Sequence, residues 1–165
     1  MLVTPLTLPQ RHGRSTITVH GDVVVKEHAD IEAARREAWW FDQFPWACPR
    51  LLGRSGATLV IERHPVAAEE PEWRPVAAMR ALLERLHLCG VHHRDVHAKN
   101  VVRMPDDSPR LIDWETATMA WTERSYDLAG PEASGIDKPV EHEGYSEQWW
   151  GGPTRWSLGR FWEAP

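Results

Sequence analysis

An α+β fold is what this sequence predicts. β-Branched runs come in pairs around glycine-containing turns, and two longer segments have helical composition and recognisable ends. The two kinds of element do not alternate in a strict strand–helix repeat, which argues against a parallel sheet. Read along the chain, the order is hairpin, helix, hairpin, linker, helix, charged loop, hairpin and irregular tail.

Residues 1–14 receive no element, because Pro5 and Pro9 break any long strand. Ser15–His20 and Val23–Lys26 are β-branched runs flanking Gly21-Asp22, a hairpin signal. Asp30 is placed to cap a helix over 31–43, rich in Ala, Glu and Arg, and Pro45 enforces its end. A second hairpin is expected around Arg54-Ser55-Gly56, with Thr58–Ile61 as the return strand. A loop with Pro65 and Pro71 follows, then Pro75 as the first residue of a helix reaching Leu88. Met79, Leu82, Leu83 and Leu86 form its apolar stripe, and Gly90 is its left-handed cap. Strands Val101–Met104 and Arg110–Ile112 flank a turn at 105–109. Residues 120–155, with many Gly and Pro, read as irregular, and no internal repeat is present.

Composition narrows the function. With 42% hydrophobic residues in 165, the chain can bury a core without a disulfide or a metal to hold it. A net charge of -5 argues against nucleic acid as a partner, since phosphate backbones select clustered Lys and Arg. Cys48 and Cys89 form no CxxC and read as reduced thiols of a cytoplasmic protein. The start has no basic region followed by an apolar stretch, and no apolar run is long enough to span a membrane, so neither a signal peptide nor a membrane role is expected. His87, His92, His93 and His97 cluster in sequence, but no second ligand group such as CxxC completes a zinc tetrahedron.

The most specific signal lies in Val91–Val102. His93, Arg94, Asp95 and Asn100 meet the pattern HRDxxxxN, and Leu111-Ile112-Asp113-Trp114-Glu115 follows at a hairpin's distance. This double match resembles the catalytic loop and the Asp-Phe-Gly segment of the protein-kinase superfamily. The resemblance implies a two-lobed kinase-like fold: a mostly antiparallel N-lobe sheet with one helix (1–62), a hinge (63–74) and a reduced helical C-lobe (75–165). It implies ATP and Mg²⁺ as well. Asp95 would then serve the acceptor hydroxyl, Arg94 would support the loop, and Asn100 and Asp113 would ligate the metal, a hard cation that takes oxygen ligands.

The resemblance extends upstream. Val23-Val24-Val25-Lys26 is similar to the VAIK strand, which makes Lys26 the clamp on the phosphates. Glu37 is the expected partner of Lys26, because Ala34, Ala38 and Phe41 set it beside an inward-facing stripe; Glu32 is the alternative. Leu59–His64 resembles the strand leading to the hinge, which puts the adenine against Ile61 and the backbone near Glu62 and His64, between Val24 and Val102. The phosphate loop departs from the family: only Arg11-His12-Gly13-Arg14-Ser15 stands where GxGxxG is expected, leaving Gly13 and Ser15 as its nucleotide-binding residues.

His93-Arg94-Asp95 favours a protein Ser/Thr acceptor. Asp113-Trp114-Glu115, with Val96-His97 and Tyr126–Ala129, resembles aminoglycoside phosphotransferases and choline kinase instead, and implies a small-molecule hydroxyl. The third reading is a pseudokinase or nucleotide-sensing module. Gly130-Pro131-Glu132 resembles the end of an activation segment and Trp156–Gly159 the start of the next helix. Arg94 beside Asp95 motivates self-phosphorylation within 116–134. Trp149, Trp150, Trp156 and Trp162 either cover core surface or form a patch for a partner or a second copy.

Overall fold

The computed structural model of the chain describes residues 6–8, 15–93, 95, 96, 98–117 and 119. The chain divides into two units, Met1–Pro65 and Val66–Pro165.

In the first unit the elements are β1 (Leu6–Leu8), β2 (Ser15–His20), β3 (Val23–His28), α1 (Ile31–Gln43), β4 (Leu51–Ser55) and β5 (Thr58–Glu62). The strands form one sheet in the order β1-β2-β3-β5-β4, every neighbouring pair antiparallel. Both predicted hairpins are present. Each turns on a glycine at its first turn position, Gly21 at φ 54° and Gly56 at φ 56°. A Cβ at either glycine would meet nothing within 4 Å, so the positive φ rather than space selects the residue. β1 is an addition to the sequence reading. Only three residues long, it exists by pairing with Ile17–Val19 of β2 rather than by a run of its own.

Helix α1 occupies the predicted residues for the predicted reasons. Asp30 Oδ1 accepts from the Ala33 amide at 2.7 Å, and the Phe44 amide closes on Trp40 O at 2.9 Å before Pro45 removes the next donor. Its buried residues are Ala34, Glu37, Ala38, Trp40 and Phe41. Two of these are alanines, which let the helix approach β3, β4 and β5 closely. Beyond the helix, Phe44 stacks on Trp40 (5.9 Å between centroids) and meets Trp46 edge-on (6.0 Å), anchoring the turn into β4.

The second unit contains a 3-10 turn (Ala67–Glu69), α2 (Val76–Leu88), β6 (Val101–Arg103), β7 (Pro109–Leu111) and a 3-10 turn (Trp114–Thr116). Met79, Leu82, Leu83 and Leu86 of α2 are all buried, each worth roughly 1.5–3 kcal/mol against exposure. The helix ends in a Schellman motif: Val91 N donates to Leu86 O and Gly90 N to His87 O, both at 2.9 Å, with Gly90 at φ 75°.

Several boundaries differ from the sequence reading: β3 runs on to His28, β5 to Glu62, and β7 starts at Pro109. Pro75 caps α2 from outside, at ψ 56°, rather than opening it. Met104 leaves the strand because its amide closes the hairpin on Ser108 O at 2.9 Å. Ile112 leaves β7 because its backbone is bonded elsewhere, as described below. The expected irregular tail at 120–155 lies outside the described residues. No helix among the described residues is long and apolar enough to cross a membrane.

Candidate functional site

In the first unit, strand periodicity builds the site. Side chains two apart on β3 share a face, so Val24, Lys26 and His28 point the same way, opposite Glu27. Across the sheet Val24 pairs with Ile61, Lys26 with Leu59 and His28 with Ser15. Leu59, Ile61 and Ser15 are buried, so Lys26 and His28 stand among groups that exclude water.

Into this environment α1 delivers Glu37, 1% exposed. Lys26 Nζ lies 3.0 Å from Glu37 Oε1 and 2.9 Å from Oε2. His28 Nε2 lies 2.7 Å from the same Oε2. Burial by itself pushes the Glu37 carboxyl up. The Lys26 charge and the polar contacts from His28 and Lys26 outweigh it and hold the carboxyl down at about 2. Glu32, the alternative partner, is exposed and bonds Arg35 at 2.7 Å. The structure therefore brings Lys26 and Glu37 together, and adds His28. The sequence reading missed His28. The signal was available: a second polar side chain, two residues beyond Lys26, on the strand face that receives Glu37.

Near the end of β5, Glu62 and His64 interact, His64 Nε2 to Glu62 Oε2 at 3.2 Å. The Glu62 amide donates to Arg50 O at 2.9 Å. Ile61 is buried and Val24 half-buried opposite it. Gly13 lies outside the described residues.

The second unit also holds a cluster. Asp95 and Asn100 are both buried. Asn100 Nδ2 donates to the Asp95 carbonyl at 3.0 Å and to Asp95 Oδ2 at 2.7 Å. One amide therefore closes the loop and orients the carboxylate. Asn100 O accepts from Ile112 N at 3.0 Å, while Ile112 O lies 3.0 Å from His93 Nε2. His93, fully buried, packs edge-on against the Trp114 ring at 4.7 Å, and Trp114 Nε1 donates to Leu111 O at 3.0 Å. These bonds fix both flanks of Asp113, which sits at φ 63°, ψ 65° and leads into the 3-10 turn. A left-handed aspartate costs on the order of 1 kcal/mol, strain of the kind that persists where the surroundings over-determine the backbone.

The donor set fits a hard divalent cation. With Asn100 Nδ2 turned to Asp95, Oδ1 is the atom of that amide chemically able to ligate, and Asp113 offers a carboxylate. Val102 is buried, paired with Arg110 in the ladder and bridged to Val66. Of the clustered histidines, His93 is engaged by Ile112, and the rings of His87 and His92 lie 4.6 Å apart. His97 and Arg94 lie outside the described residues, as do Thr118, Thr122, Ser125 and Ser134 of the expected self-phosphorylation segment. Thr116 is described, and its hydroxyl donates to His93 O at 3.0 Å.

No family model matches the chain, and no curated protein matches it. Among solved structures it is similar to a 2.2 Å crystal structure of WbdD, with a TM-score of 0.52 at 17% identity over 70% of this chain and 33% of that one. It is also similar to a second structure of WbdD, a bifunctional kinase-methyltransferase, with a TM-score of 0.55 at 16% identity over 74% of this chain and 36% of that one. The fold is kinase-like. At such identity the likeness is one of fold, and the chain spans about a third of the length of the structures it matches. The antiparallel sheet carrying α1 is compatible with a small kinase-like N-lobe.

Proposed function

We propose that the chain is an ATP-dependent phosphotransferase acting on a hydroxyl group. On this reading residues 1–62 are the N-lobe of a two-lobed kinase-like fold, 63–74 its hinge and 75–165 a reduced C-lobe. The observation that carries the reading is the buried Lys26–Glu37 pair on a kinase-like sheet. A lysine held among apolar groups by a single carboxylate is a poor stability device, since a buried ion pair often gains little over well-packed apolar residues. It is a good phosphate clamp, because its charge is fixed in position before the substrate arrives.

The chemistry then follows residue by residue. Lys26 binds the α- and β-phosphates, and Glu37 sets its direction. Val24, Ile61 and Val102 contact the adenine, with hinge backbone near Glu62 and His64 bonding its edge; Gly13 and Ser15 serve as the phosphate-loop residues. Asn100 and Asp113 hold Mg²⁺, which when bound neutralises charge on the β- and γ-phosphates. Asp95, oriented by Asn100, accepts the proton of the acceptor hydroxyl as its oxygen bonds to the γ-phosphorus and the bond to the bridging oxygen breaks, releasing ADP.

For the acceptor, His93-Arg94-Asp95 supports a Ser/Thr hydroxyl of a protein. A small-molecule alcohol is the second reading, favoured by the fully buried Trp114 where protein kinases have phenylalanine in Asp-Phe-Gly. The test is incubation with labelled ATP and Mg²⁺, with a generic protein substrate, with small alcohols, and alone. Asp113→Ala is expected to abolish transfer while leaving the fold intact. A variant that labels acceptor as fast as the parent refutes the metal assignment, and a parent that neither binds nor consumes ATP refutes the enzyme.

A further inference from the structure

We propose that His28 is a positioning residue for nucleotide binding: it keeps Glu37 partnered while Lys26 turns toward phosphate. The inference rests on the reading of Lys26 as the phosphate clamp, and deepens it.

Glu37 is 1% exposed, so its carboxylate cannot draw hydrogen bonds from bulk water. Its donors must come from the protein, and an unpaired buried charge is costly. Lys26 reaches both carboxylate oxygens, at 3.0 and 2.9 Å, and His28 reaches Oε2 at 2.7 Å. The contact is a close approach rather than an aligned hydrogen bond, and because an ionised carboxylate only accepts, it is attractive with the hydrogen on His28 Nε2.

A lysine that serves two masters faces a conflict. Whatever Lys26 gives to a phosphate it withdraws from Glu37. In a site with Lys26 as sole donor, nucleotide binding would strand a buried carboxylate, and the cost would appear as weaker affinity. His28 removes that conflict because it does not move with the lysine. Its amide donates to Ala57 O at 2.8 Å, its side chain is 1% exposed, and it pairs across the sheet with Ser15. Strand periodicity places it on the Lys26 face, one pleat further along.

A merely structural histidine would affect ligands with and without phosphate alike. The experiment compares ATP and adenosine binding, read by tryptophan fluorescence, in the parent, His28→Gln and His28→Leu, with melting temperatures recorded for each. His28→Leu is expected to lose at least about tenfold in ATP affinity, the value of one polar contact to a buried charge, with adenosine affinity held within about twofold. His28→Gln keeps an amide donor and is expected to stay within about threefold of the parent for both. On a Glu37→Gln background the His28→Leu effect should vanish. Should His28→Leu not fold, His28→Asn takes its place, since its shorter amide falls short of Glu37. Equal losses for ATP and adenosine, or a folded His28→Leu that binds ATP like the parent, overturn the inference while leaving the phosphotransferase intact. A parent that binds neither ligand overturns both.

Discussion

Lys26→Met removes a buried charge while keeping most of the side chain's volume, so it isolates the electrostatic role of the pair. Lys26 and Glu37 side chains are 5% and 1% exposed, which puts them in the class where loss of one partner costs about 3–5 kcal/mol. His28 still serves Oε2, so the low end applies, about 3 kcal/mol, or a fall of about 10 °C in melting temperature for a chain of this size. The pH dependence gives a sharper check. In the parent the Glu37 carboxyl is held at about 2, below its ordinary 4.5, so it contributes stability that is present above pH 4.5 and lost as pH falls toward 2. The variant loses the Lys26 charge but keeps the burial, which pushes the carboxyl up, and protonation then relieves the stranded charge. The gap between parent and variant should therefore be widest near pH 7 and narrow by pH 4. Urea unfolding followed by tryptophan fluorescence at the two pH values measures it. Lys26→Met/Glu37→Leu should recover part of the loss at pH 7, since it removes the stranded charge while leaving the buried His28 ring without its acceptor. A gap that is the same at both pH values, or a double variant as unstable as the single one, refutes the reasoning.

Two further outcomes test the packing that holds the site. Gly90→Ala should cost about 1–2 kcal/mol from its left-handed φ of 75° alone, because the new Cβ would lie 3.6 Å from Met119 O, an ordinary contact; a neutral result by thermal melting would contradict the Schellman assignment. Leu83→Ala, at a fully buried position on α2, should destabilise by about 2–5 kcal/mol, and a loss below 1 kcal/mol in urea would show the site is not packed as described.

How much of this was legible depends on how local the cause is. Helix α1 could be read to the residue because Asp30 and Pro45 act on their own neighbours. The glycine-first hairpins were legible for the same reason. β1 was not, since three residues after Pro5 carry no periodicity and owe their strand to Ile17–Val19 of β2. Nor was the β3–β5 pairing that sets Leu59 and Ile61 beside Lys26 and Val24, because the contact skips α1 and β4. At the candidate site, Glu37 was chosen over Glu32 by helix phase, a local argument. His28 escaped because the sequence reading ends its strand at Lys26, which leaves the next side chain on the same face unread. The strand-end shifts at Met104 and Ile112 came from hydrogen bonds made outside the ladder, which periodicity does not register.

The backbone of Ile112 is grasped at both ends, its N–H by Asn100 O and its C=O by the His93 ring. Neither bond uses the isoleucine side chain. Position 112 should thus accept many residues without cost to the aspartate beside it, whereas position 93 should accept few, although neither touches a substrate in the proposed chemistry. A change at His93 would reach Asp113 through a peptide group rather than through a side chain. Variants there would resemble active-site lesions in their kinetics while lying in the buried interior.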